Sequence, residues 1–285
     1  MRKLIISCDD FGVSKETNVA IIQCLKFKKA TSASILSNGD FFFHGAEIIK
    51  KNIKNNYFGV HLNLTEGKAL TQSKKLTDKK NIFKHGPEYF FLLQTLNQYK
   101  KIENDIYYEL KKQILRVKKK GIKISHLDSH QHIHHVPFIS DIIKKLGKEF
   151  KIKKIRHIRE KFLLRNFFKN FLYKVLNKNY LKYFLIKIYE NKLDYFKSTN
   201  FFYGILNSGK IDINEFFNYI DSLKKNETVE LCIHPSHKIK TIKKQIFENF
   251  YKNTNRQYEK NLLFSDDFKR RLIQKKIKLI NFNSI

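Results

Sequence analysis

The segment KLIISCDDFG, residues 3–12, begins with a compact, mostly apolar run and ends in two adjacent carboxylates followed by Phe and Gly. An apolar run of this length before a turn is typical of a buried β-strand. Similar short runs predict further strands at 31–36, 57–64, 124–129, 153–158, 228–234 and 276–282. Segments with helical character predict helices at 15–29, 43–53, 100–120, from Pro137 onward, and at 212–225 and 266–276.

This alternation of strand and helix predicts parallel strands with helices packed outside them. Six or seven such strands favour an irregular or incomplete α/β barrel over an open sheet. We therefore expect one domain over residues 1–285, with insertions at about 65–88 and 161–200. The first insertion is polar and contains glycine and proline, and the second is basic and has helical patterning.

Hydrophobic residues make up 42% of the chain and charged residues 29%, which fits a globular core and excludes global disorder. The net charge of +31 has three interpretations: lysines spread over solvated faces by codon bias, attraction to an anionic membrane or cell-wall polymer, or nucleic-acid binding. No nucleic-acid-binding motif accompanies the charge, so that partner is not expected.

Three scattered cysteines argue against a disulfide framework and fit a reducing compartment. The apolar run at the N-terminus is too short for a signal peptide, and no stretch of the sequence has the length of a spanning helix. We therefore expect a cytoplasmic location.

Polar residues stand at four predicted strand ends: Asp9–Asp10, His61, the stretch HLDSHQHIHH at 126–135, and His234. In a parallel barrel these ends share one rim, where active sites lie. Asp9–Asp10 is interpreted either as a turn or capping pair or as a metal site. Because adjacent carboxylates repel each other, a divalent cation would relieve them, with one carboxylate as ligand and the other as general base.

The five histidines within 126–135 are interpreted either as a hydrogen-bonded structural cluster or as metal ligands with supporting partners. His61 alone would more often be a core residue, but its place near a strand end favours a ligand. His234 is either a turn histidine or a general acid at the rim. An Asp-His-His set leaves positions open for water and substrate, which indicates a catalytic metal.

The motifs DDFG, TSAS-x-x-x-NG, GVHLNLTEG, HLDSHQHIH, IRHIRE and ELCIHPSH occur in this order along the chain. In this order they resemble the YdjC-like carbohydrate deacetylases. The resemblance implies an irregular (β/α) barrel of the glycoside hydrolase/deacetylase type. It also implies hydrolysis of the N-acetyl group of an acetylated amino sugar, either an oligosaccharide or a lipid-linked sugar.

By the same resemblance, Asp9 is the general base and His234 the general acid. The implied metal ligands are Asp10, His61 and His130. We also predict contact with substrate, or support of the ligands, by Asp128, His132, Arg156 and Arg159. The family suggests Mg²⁺ and a homodimer, whereas two imidazoles and one carboxylate also suit Zn²⁺ or another transition metal. Ser236 stands where the family often has glycine, which leaves the sugar open.

Residues 151–200 contain 14 Lys or Arg, three acids and 11 Phe or Tyr. One interpretation is a helical cap whose aromatic residues pack on the barrel. The other is an interfacial patch in peripheral contact with anionic membrane.

Three functions compete: the N-deacetylase, a metal-dependent hydrolase of another amide or ester, and a basic polyanion-binding protein with a vestigial metal site. Retention of every implied site residue argues against the third.

Overall fold

The computed structural model describes residues 1–53, 57–161, 178–189, 195–209, 211–240 and 255–285. In these ranges the strands are β1 (Lys3–Phe11), β2 (Ser32–Ile35), β3 (Phe58–Leu62), β4 (Leu127–Ser129), β5 (Phe201–Tyr203), β6 (Thr228–Ile233) and β7 (Lys278–Leu279). The helices are α1 (Lys15–Lys26), α2 (Phe42–Asn52), α3 (Pro87–Thr95), α4 (Glu103–Lys119), α5 (Pro137–Phe150), α6 (Lys178–Ile188), α7 (Ile213–Asp221), α8 (Arg256–Phe264) and α9 (Asp266–Gln274).

All the strand pairs are parallel, and the sheet runs in the order β4-β3-β2-β1-β6-β5, with β7 paired to β1. The sheet forms a half-barrel surrounded by helices. Its central strand is β1, whose residues Leu4, Ile5 and Ile6 are fully buried because both faces of the sheet are covered. The predicted parallel α/β architecture is confirmed.

Several boundaries differ from the predictions. The predicted strand 153–158 is reduced to isolated bridges, Ile155 with Leu127 and Lys154 with Lys197. The predicted strand 276–282 keeps only the two residues of β7. The elements α3, β5 and α8 were not predicted. The three residues of β5 are too few for alternation to reveal a strand.

The insertion at 65–88 has no helix or strand as far as Gly86, and α3 begins at Pro87, a favoured first helical position. Its anchor is Glu109 of α4. This buried carboxylate accepts hydrogen bonds from the backbone N–H groups of Leu70 and Thr71.

Of the insertion at 161–200, the structure describes 161, 178–189 and 195–200, so the amphipathic stretch NFFKNFLYKVL lies outside the described residues. Helix α6 buries Tyr183 and Ile186 against the rest of the chain. Its outer face leaves Leu181, Phe184 and Ile188 exposed by 63%, 49% and 73%. Within the described ranges, we find no helix with the length and apolar character needed to cross a bilayer.

Candidate active site and metal centre

A cavity of about 160 Å³ opens at the carboxyl ends of the strands. Residues from four separate motifs line it, as the barrel prediction requires: Asp9, Asp10, His61, His130, His132 and His234. Unpredicted residues complete the lining, among them Glu66, Lys182 and Arg256. The predicted convergence of distant residues is therefore seen in the fold.

A β-bulge in β1 turns both adjacent carboxylates toward this cavity. The pairing of β1 with β2 changes register between Cys8 and Phe11, and Asp10 has a φ of 69°. In a regular strand, consecutive side chains point to opposite faces, so only one carboxylate would face the cavity. The bulge removes that alternation, and both Asp9 and Asp10 line the cavity while each is 1% exposed.

Asp10, His61 and His130 form one of three groups among the described residues whose ligand atoms lie close enough together to hold a metal ion. Oδ1 of Asp10 lies 3.5 Å from His61 Nε2 and 3.4 Å from His130 Nδ1. This oxygen is buried and has no hydrogen-bond partner among the described residues. One ligand atom from each residue lies within 4.8 Å of the others. A divalent cation fits this set because it would satisfy the carboxylate oxygen and both imidazoles.

Asp128 orients His61. Its Oδ1 lies 3.0 Å from His61 Nδ1, and its Oδ2 accepts a 2.6 Å hydrogen bond from the Ser34 hydroxyl. Burial raises the pKa of Asp128, but the charges of Arg156 and His61 outweigh burial and hold the pKa well below its usual value. An ionised Asp128 that engages Nδ1 leaves Nε2 facing Asp10, the arrangement that supports a ligating histidine.

His130 lies between two carboxylates. Its Nδ1 faces Asp10, and its Nε2 lies 3.5 Å from Oε2 of Glu66. Burial lowers the pKa of His130, but the two nearby carboxylates of Asp10 and Glu66 outweigh burial and raise it to about 9. In the metal-free protein, therefore, the imidazolium supplies the positive charge that a cation would otherwise bring.

Arg156 lies beneath the cavity and holds Asp9. Its Nη1 and Nη2 donate to the two carboxylate oxygens at 2.6 and 2.7 Å, and its Nε donates to Glu230 at 2.8 Å. Burial raises the pKa of Asp9, but the charge of Arg156, followed by that of His61, keeps it below its ordinary value. Asp9 is therefore ionised at neutral pH.

His234 follows β6 directly and faces the cavity. Burial lowers its pKa, but Glu259 and Asp10 outweigh burial and raise it. Glu259 belongs to α8, and Arg256 of the same helix donates a 2.9 Å hydrogen bond to Oδ2 of Asp10. Glu259 and Arg256 were not predicted as site residues, because nothing in the polar segment around them indicates a role. Glu66, in contrast, lies within the quoted motif GVHLNLTEG and could have been found there.

His132 lines the cavity, with a backbone φ of 61°. Burial lowers the pKa of His132 well below its usual value, so this ring is neutral. The Arg159 side chain is exposed and lies outside the cavity lining. The structure thus brings His132, but not Arg159, to the cavity. Arg156 and Asp128 do not line the cavity but hold two residues that do, Asp9 and His61.

The chain matches the family model described as YdjC-like protein over residues 3–274. It belongs to the YdjC-like family. The match covers almost all of the sequence, from the first residue of β1 to the last residue of α9.

Curated relatives of this YdjC-like chain are named carbohydrate deacetylases. One from Clostridium beijerinckii is 26% identical over 99% of this chain and 100% of its own length. One from Brevibacillus brevis is 32% identical over 53% of this chain and 57% of its own length. A chitooligosaccharide deacetylase from Citrobacter koseri is 32% identical over 52% of this chain and 56% of its own length. In several relatives the match thus spans little more than half of the protein.

A solved structure from Enterococcus faecalis V583, provisionally named a cellobiose-phosphate cleavage protein, shares the fold. The TM-score is 0.71 at 21% identity, and the match covers 99% of this chain and 98% of that one. At this identity the likeness concerns the fold alone.

Proposed function

We propose that this YdjC-like protein is a metal-dependent carbohydrate deacetylase that hydrolyses the N-acetyl group of an acetylated amino sugar. The observation that carries the proposal is the buried Oδ1 of Asp10, which has no hydrogen-bond partner among the described residues and lies between His61 and His130. A carboxylate with lowered pKa, Asp9, and a histidine with raised pKa, His234, line the same cavity.

A divalent cation held by Asp10, His61 and His130 would supply Lewis acidity to the amide carbonyl and to the attacking water. The resemblance to the family favours Mg²⁺, and the two imidazole ligands favour Zn²⁺ or another transition metal. The two are distinguished by which ion restores activity to the chelated protein.

The protein's own residues would move the protons. Asp9 is ionised and accepts a proton from the water that attacks the acetyl carbon. Arg156 fixes the orientation of that carboxylate. His234, whose pKa is raised, is favoured in its protonated form and donates to the departing nitrogen as the carbon–nitrogen bond breaks. The products are acetate and the free amine of the sugar.

The substrate would carry its acetamido group into the cavity, and the rest of the sugar would lie at the opening. Because the chain has no Trp, a ring that stacks on the sugar must be Tyr or Phe. Lys182 at the cavity wall is a hydrogen-bond donor suited to a sugar hydroxyl. An oligosaccharide and a lipid-linked amino sugar both fit these requirements.

Acetate release from N-acetylglucosamine oligomers tests the proposal. We expect release to stop on chelation, to return with added Mg²⁺ or Zn²⁺, and to be abolished in Asp9→Asn. Asp141→Asn, at an exposed position of α5, is the matched control and should retain full activity.

Each part of the proposal has its own contradicting result. Continued turnover by Asp9→Asn would refute the assignment of the base, and turnover that survives chelation would refute metal dependence. Hydrolysis of other amides or of phosphate esters, without acetate release from amino sugars, would favour the alternative hydrolase.

A further inference from the structure

Helix α8 holds two parts of the site at once. Arg256, its first residue, donates to the metal-ligand carboxylate of Asp10, and Glu259 contacts His234. Residues three apart on a helix share a face, so one turn of α8 faces both the ligand and the acid histidine. None of the six motifs that carry the family resemblance includes this helix.

Glu259 contacts His234 in two ways. Its Oε2 accepts the backbone N–H of His234 at 2.5 Å and lies 3.6 Å from Nδ1 of the same residue. The carboxylate is 1% exposed, and its Oε1 has no hydrogen-bond partner in the described parts of the chain. Nδ1 thus lies just beyond hydrogen-bond distance of a buried carboxylate, and an Nδ1–H donated to that carboxylate would offset part of the cost of burying it.

The ring geometry gives this contact a chemical consequence. The two nitrogens of an imidazole lie on different sides of the ring, so an Nδ1 engaged by Glu259 leaves Nε2 for the cavity that His234 lines. Among the described residues, the other ionisable groups near His234 include Asp9, Asp10, Cys232 and Arg256. Among these, Asp9 and Asp10 are already paired with Arg156 and Arg256.

We propose that Glu259 is the positioning residue that fixes His234 as the proton donor: its carboxylate accepts Nδ1–H, directs Nε2–H toward the departing nitrogen and stabilises the imidazolium. This inference rests on the proposed deacetylase function. The proton passes from Nε2 to the nitrogen as the carbon–nitrogen bond breaks, and the ring is left neutral.

The test compares two leaving groups in Glu259→Gln. An N-acetyl sugar releases an amine, which must be protonated, whereas 4-nitrophenyl acetate releases a phenolate, which need not be. We expect kcat on the amide to fall about 100-fold with KM unchanged, and the ester rate to stay within about threefold of wild type. Adding Glu259→Gln to His234→Ala should cause little further loss on the amide, because both changes remove the same donor.

Glu160→Gln is the matched control. Burial raises the pKa of Glu160 to about 7, and its carboxylate accepts the backbone N–H groups of Gly204 and Ile205, so it is also a buried carboxylate that holds a main-chain segment. The amide and ester rates of Glu160→Gln should change by the same factor.

If Glu259→Gln does not fold, Glu259→Asp is the second variant. It should lose about tenfold on the amide and leave the ester rate nearly unchanged.

A readout independent of turnover is the ¹⁵N NMR signal of the His234 ring. We expect Nδ1 to be protonated in wild type and this preference to be lost in Glu259→Gln. Equal losses on amide and ester, an unchanged amide rate, or an unprotonated Nδ1 in wild type would overturn the inference. A wild type that releases no acetate but shows the expected ring signal would refute the proposed function and leave the Glu259–His234 pairing standing.

Discussion

Arg156 holds Asp9 by both carboxylate oxygens, with Nη1 2.6 Å from Oδ2 and Nη2 2.7 Å from Oδ1. The guanidinium is fully buried and also contacts Asp128 and Glu230. One guanidinium thus contacts three buried carboxyl groups. The planar fork of arginine fits this arrangement, and a lysine ammonium does not.

We therefore expect Arg156→Lys to fold and to lose about 10- to 100-fold in kcat with little change in KM, because Asp9 keeps a positive partner but loses its fixed orientation. Arg156→Met leaves buried carboxylates without a partner and should lower the free energy of unfolding by about 3–5 kcal/mol. Steady-state kinetics and urea unfolding measure the two effects. Equal kinetics in wild type and Arg156→Lys would contradict the orienting role.

Metal binding should release a proton. The pKa of His130 is raised to about 9 in the metal-free protein, and a ligating imidazole must be neutral. Below pH 9 the cation must displace that proton, so its apparent affinity should rise about tenfold per pH unit between pH 6 and 8.

Isothermal titration in buffers of different ionisation enthalpy counts this proton. In Glu66→Gln, which removes one of the carboxylates beside His130, the pH dependence should become shallower. Metal affinity that does not vary with pH would show that His130 is not a ligand.

The protein should lose stability as the pH falls below 6.5. Burial lowers the pKa of His126 to about 4, and its ring stacks on Phe282 with centroids 3.7 Å apart. Below pH 6.5 the unfolded chain binds a proton that the native ring does not accept until about pH 4. His126 alone therefore lowers the free energy of unfolding across this window by up to about 3 kcal/mol.

Urea unfolding between pH 7 and pH 4.5 measures this loss. His126→Gln should be less stable at pH 7 but should show a smaller further loss at pH 4.5. His44→Gln is the control: burial also lowers the pKa of this half-buried histidine, but less than at His126, so the variant should change the wild-type pH dependence much less than His126→Gln does. Parallel pH dependences for wild type and His126→Gln would contradict the prediction.

Lys182 should contribute to substrate binding. Its side chain lines the cavity, burial lowers its pKa, and in the described part of the chain it has no hydrogen bond or ion pair. Loss of one charged hydrogen bond to a sugar hydroxyl in Lys182→Met should raise KM about tenfold and leave kcat nearly unchanged. Lys187→Met, at an exposed position of α6, is the control. A fall in kcat alone would contradict a binding role.

Peripheral membrane contact remains a prediction, and helix α6 offers a test of it. We expect wild type to float with anionic liposomes at low salt. Changing the exposed residues Leu181, Phe184 and Ile188 to Ser should weaken this binding roughly tenfold or more. A control with Tyr108 and Ile273 changed to Ser should float as wild type does. Failure of wild type to float at low salt would contradict the membrane interpretation.

Local patterns of apolar residues in the sequence predicted much of the architecture. Buried parallel strands are apolar runs, and residues 3–8 and 228–234 therefore predicted β1 and β6 closely. The short strand β5 and helix α8 gave no comparable signal. Three residues show no periodicity, and the buried side of α8 includes Arg256 and Glu259, whose charges are balanced by partners distant in sequence.

By itself, the sequence determined the parallel α/β architecture and the convergence of Asp9, Asp10, His61, His130 and His234, because parallel strands bring their carboxyl ends to one rim. Only the tertiary structure decided which charges surround them. It placed Arg156 under Asp9, Glu66 beside His130 and Glu259 beside His234, and it left Arg159 on the surface. The physical reason is that a buried charge needs a partner in space, and that partner can come from any part of the chain.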